Sequence, residues 1–124
     1  MSTAQAENIF TAQVGAGDVF VEIWGYDQTN VNCYVVTRRT PKSVAIKPCG
    51  SKIIDGRVLP NPDVVGEFTR SRLGKPNKDG EIIKRLSSGY KGSPWISMTS
   101  YSGASLWDGS ETFYDTRAAG YAGH

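Results

Sequence analysis

The chain has one histidine, His124, and two cysteines, Cys33 and Cys49, too few for a zinc-type ligand set or a disulfide framework. No run approaches the ~20 apolar residues of a membrane-spanning helix, and the N-terminal MSTAQAENIF lacks the basic start and apolar stretch of a secretory signal. G-x-S-x-G, P-loop, H-E-x-x-H and paired-carboxylate motifs are all missing. These absences lead us to expect no metal, no cofactor and no membrane partner, and a cytoplasmic location. Basic residues are absent from the first 37 positions, which carry Glu7, Asp18, Glu22 and Asp27 and so a charge of −4. Residues 38 to 91 reverse this at +8 and residues 92 to 124 return to −2, so the overall +2 conceals a basic middle that points to an anionic partner.

At 124 residues the sequence fits one domain. Residues 1–17, polar and ending in VGAG, are expected to form a flexible tail, with 18–124 as a single folded domain. In VFVEIW, Val19, Val21 and Ile23 alternate with Phe20, Glu22 and Trp24, the period of a strand. VNCYVVT (31–37) and SVAIKP (43–48) make a hairpin around Pro41, and a turn at Thr40 and Pro41 sets Cys33 almost opposite Cys49. Both thiols are expected to be free and buried, a disulfide being conceivable by geometry but not in a reducing compartment.

Asp55-Gly56 marks a second hairpin, and EIIKRL (81–86) with WISMTSY (95–101) a third. Pro62-Asp63 is read as the start of one helical turn carrying Val64, Val65 and Phe68, GKPNKDG (74–80) as an exposed loop, and Glu111 to Thr116 as a last short strand. The expected fold is all-β: a small, partly open β-barrel of about six short strands with at most one short helical turn.

Two polar, aromatic segments stand out. GYDQTN follows Trp24 and places Tyr26 among Asp27, Gln28, Thr29 and Asn30, a stacking face edged by donors and acceptors. SLWDGSETFY offers Trp107, Asp108, Phe113 and Tyr114 in the same manner. Each can equally be a turn that ties itself off; if both lie on one rim they form a single binding patch. Basic turns carrying Arg38, Arg39, Lys42, Arg70 and Arg72 could contact phosphates beside it, the combination by which β-barrels hold single-stranded nucleic acid.

WGYDQTN at 24–30 with Tyr34, together with WDG at 107–109, Tyr114 and the terminal GYAGH, resembles a group of small uncharacterised proteins of bacteriophages and other mobile elements. The resemblance implies a phage-type setting in a bacterial cytoplasm. It departs at Asn32 and Cys33, where the group tends to carry an acid and a Phe. The favoured partner is nucleic acid. A bacterial host protein bound at the Trp loops is the alternative, and a monomer or a homodimer fits either. A third reading is an enzyme with Asp27 or Asp108 as base, His124 as its partner and Asn30 or Gln28 holding an oxyanion.

Overall fold

The computed structural model describes residues 13–25, 29–69, 73–89, 92–100 and 102–116. They form eight strands: β1 (Val19–Trp24), β2 (Asn30–Arg39), β3 (Ser43–Ile54), β4 (Arg57–Val65), β5 (Ile82–Ser88), β6 (Pro94–Thr99), β7 (Ser102–Leu106) and β8 (Phe113–Tyr114). No helix occurs among the described residues. Antiparallel pairing runs β2-β1-β7-β6-β5-β3, and the further β2–β3 ladder closes these six into a barrel. Closure removes the exposed edges of an open sheet.

The alternation read in β1 is what lets it wall the barrel. Phe20 and Glu22 point inward with Tyr34, Val36, Val44, Ile46, Ile82, Leu86, Ile96, Met98 and Ala104, and most of these are almost wholly removed from solvent. Each such large apolar side chain stabilises the fold by roughly 1.5–3 kcal/mol. Val14 packs into the same core, and Gly17 N donates to Val36 O at 2.8 Å while Val36 N donates to Asp18 O at 2.8 Å. The VGAG end of the expected tail is therefore docked as an extension of β1; residues 1–12 lie outside the described residues.

β3 is twelve residues long and serves two sheets. Its first half pairs with β2 and β5; after a register shift at Cys49 and Gly50 its second half pairs with β4, and β4 pairs with β8. The turn between β3 and β4 places Asp55 at φ +52° and Gly56 at +76°, the left-handed geometry that Asp-Gly favours in a two-residue hairpin. This branch covers the outer side of β1 and β2, where Val19, Val21, Val31, Cys33 and Val35 form a second core with Val58 and Phe113. Both faces of β1 and β2 are thus apolar over most of their length, which explains their valine content.

Two expectations change. Pro62 and Asp63 lie inside β4 rather than opening a helical turn; they fall in the bulge between the Gly50–Asn61 and Cys49–Val65 pairs, where proline's missing amide hydrogen costs no ladder bond. Strand β7 went unread because SGASL contains no β-branched or aromatic residue; it is held by β1 and β6 on either side.

Candidate functional site

The strand registers decide whether the two Trp segments share a rim. Trp24 ends β1, whereas Trp107 N donates to Val19 O at 2.8 Å, at the strand's beginning. Five residues at ~3.3 Å per residue separate their backbones by roughly 16 Å. Trp24 and Trp107 therefore do not meet on one rim. What meets the first loop is the end of the second segment: Thr116 N donates to Thr29 O at 2.9 Å, Thr29 N to Thr116 Oγ1 at 2.8 Å, and Val31 N to the buried Asp115 Oδ2 at 2.9 Å.

Trp107 and Asp108 tie off their own bend. Trp107 Nε1 donates to Glu111 O at 2.8 Å, and its ring packs on the second core. Asp108 Oδ1 accepts from Ser110 N and Glu111 N, both at 2.8 Å. Those backbone donors hold the Asp108 carboxyl below the usual range, which makes it a poor general base near neutral pH. Tyr114 is exposed beside Arg57 in the β4–β8 ladder. Trp24 is half-buried and Asn30 buried, the two being register partners where the first loop leaves the barrel. Tyr26, Asp27, Gln28 and His124 lie outside the described residues.

Below that loop is a polar cluster that sequence reading did not anticipate. Glu22 is fully buried and accepts from Tyr34 Oη at 2.9 Å and Ser102 Oγ at 2.6 Å, and Ser102 lies 2.7 Å from Thr99 Oγ1. A buried carboxylate held by hydroxyls from β2 and β7 fixes the mutual position of three strands.

The expected phosphate contacts divide. Arg38 Nε lies 3.2 Å from Glu81, whose carboxylate is also bonded by Thr37 Oγ1 and by Asn77 Nδ2 at 3.2 Å. Hydrogen bonds from Thr37, then Asn77 and Arg38, hold the Glu81 carboxyl below its ordinary value. Its contribution to stability is therefore present above the unfolded carboxylate range and is lost as pH falls through the lower, folded value. Urea midpoints measured down the acid range should fall in the wild type, and Glu81→Gln should flatten that fall. Arg39 is half-buried, and its Nη1 is shielded from solvent without a hydrogen-bond partner. Lys42 is exposed, and its carbonyl accepts from Leu86 N at 2.9 Å, so it neighbours the exposed Arg85. Arg70 and Arg72 lie outside the described residues.

The outward face of β5, β6 and β7 carries the surface that sequence reading missed. Leu86, Ile96 and Ala104 turn inward, so Ser87, Trp95 and Ser105 turn outward in register. A Cβ on Gly103 would fall 1.9 Å from Trp95 Cζ2, so the indole lies over the glycine while keeping 36% of its surface exposed. Ile23, Ser97, Thr99, Ser100 and Ser102 complete a shallow groove of about 470 Å³ around it. Arg85 stands two residues from Ser87 on the same side of β5. From Ile82 to Leu106 the sequence has no Asp or Glu and seven serines. That acid-free stretch, with Ile96 and Met98 marking the inward side, is the signal that identifies Trp95 in the sequence.

No protein-family model, curated protein or solved structure matches the chain.

Proposed function

We propose that the protein binds single-stranded nucleic acid on the outward face of β5, β6 and β7, by association rather than catalysis. The observation that carries this reading is Trp95 spread over Gly103 in a groove edged by hydroxyls and free of carboxylates. A base stacks on the indole irrespective of its identity, and the serines of the groove supply donors and acceptors to base edges and sugar. Arg85 and Lys42 contact the phosphates that follow. Such a site prefers single strands, because a duplex keeps its base faces stacked internally. A mobile-element setting, implied by the WGYDQTN segment, accords with a small nucleic-acid binder.

The test is a titration with a short labelled oligonucleotide at several salt concentrations. Log affinity should fall linearly with log salt, by about 0.7 per phosphate contacted on a single strand, and removing both Arg85 and Lys42 should reduce that slope by roughly 1.4. Absence of binding, or an affinity indifferent to salt, overturns the proposal.

A second reading is favoured by a different surface. Ile53 is 66% exposed and Ile54 44% at the tip of the β3–β4 hairpin, an apolar tip suited to a protein partner such as a host factor. Capture experiments in which wild type and Ile53→Asp retain the same partners would exclude that surface.

A further inference from the structure

The β2–β3 register pairs Tyr34 with Pro48 and Val35 with Lys47; carried one residue further it sets Cys33 opposite Cys49. Residues directly opposed across an antiparallel pair have Cα atoms about 4.5–5.5 Å apart, inside the ~4.4–6.8 Å window a disulfide spans. Both cysteines are free thiols. They lie in a cleft of about 390 Å³ lined also by Asn32, Tyr34, Pro48 and Phe68, from which Cys49 is reachable while Cys33 is buried. We infer that Cys33 and Cys49 form a dithiol–disulfide couple, with Cys49 the attacking sulfur, that is oxidised by a low-molecular-weight disulfide of the glutathione class.

The two thiols differ as that chemistry requires. Cys33 presents its S–H to the Cys49 sulfur, which draws the Cys49 thiol below its ordinary value; the same bond, with burial and the charge left on Cys49, pushes Cys33 well above it. Cys49 thiolate attacks one sulfur of the oxidant, forming a mixed disulfide and releasing one thiolate. Cys33 then passes its proton to solvent and attacks the Cys49 sulfur, closing the cross-strand bond and expelling the second thiolate. The protein loses two electrons and two protons, and the oxidant leaves as two thiols.

The bond would form where β3 leaves the barrel for the β4 branch, beside the register shift at Cys49 and Gly50. Closing it would fix the cover of the second core to β2, making this seam a point at which redox state acts on the fold.

Intact protein treated with oxidised glutathione should become two hydrogens lighter by mass spectrometry, with a single Cys33–Cys49 crosslink in a monomer. Cys33→Ser should stop at a stable glutathione adduct on Cys49, and Cys49→Ser should react at least ~10-fold more slowly. The native protein provides a check that needs no variant: Cys49 should be alkylated ~10-fold or more faster than Cys33 at neutral pH. Native protein that keeps both thiols in excess oxidant, a crosslink formed only between copies, or equal alkylation of the two cysteines would each overturn the inference.

Discussion

Phe20→Ala should lower the free energy of unfolding by about 3–5 kcal/mol, while Ile23→Ala on the same strand should change it by no more than about 0.5 kcal/mol. Phe20 is fully buried among Tyr34, Val36, Ile96 and Met98, and the barrel wall around it is closed by hydrogen-bonded neighbours on both sides. That wall cannot collapse inward, so truncation leaves most of the ring's volume empty and adds a cavity cost to the lost burial. Ile23, three residues on, has 53% of its surface in solvent. Because strand side chains alternate, a register one residue out would turn Ile23 inward and make its truncation costly as well. Denaturant unfolding of both variants therefore tests the pairing of Phe20 with Tyr34 and Leu106 directly. Equal effects would refute the assignment of β1's inward face.

Trp95→Ala should weaken oligonucleotide binding by about 1–3 kcal/mol, a loss of roughly 5- to 150-fold, with little change in salt dependence. The indole supplies stacking and no charge, so affinity should fall at every salt concentration by a similar factor. Gly103→Val offers a second route to the same end. Its Cβ would occupy the space now taken by the ring, so Trp95 must swing away from the groove although its own chemistry is untouched. Loss of binding in both variants, with barrel stability measured alongside, locates the stacking platform at this spot. Retention of full affinity in Trp95→Ala would remove it.

What could be read from the sequence was local. The hairpin of β2 and β3 was legible from its turn signal, but the pairs beside the turn, Arg39 with Val44 and Arg38 with Ala45, sum to 83, and a register shift between Val36 and Arg38 that composition does not reveal brings the sum to the 82 that opposes Cys33 to Cys49. The alternation of VFVEIW was equally plain and correctly separated Phe20 and Glu22 from Val21 and Ile23. Illegible was anything set by where strands travel after their turns. Trp24 and Trp107 have similar neighbours in sequence, yet β7 runs antiparallel to β1 and delivers Trp107 to the opposite end of it. The role of β3 in two sheets also escaped notice, since a register shift at Cys49 and Gly50 leaves no mark in composition. Trp95 differs again: the acid-free stretch around it is visible in the sequence, but that Gly103 lies beneath its ring follows only from the β6–β7 pairing.

The branch carried by β3 has a vulnerability that the closed barrel avoids. Beyond Val58, the residues Leu59 to Asn61 and Val65 are laddered to β3 but not to the two-residue β8, so one flank of β4 is open to a passing chain. Pro60 and Pro62 stand in that flank, and with no amide hydrogen they cannot help template a foreign strand. The prolines thus serve as a guard against self-association along this margin.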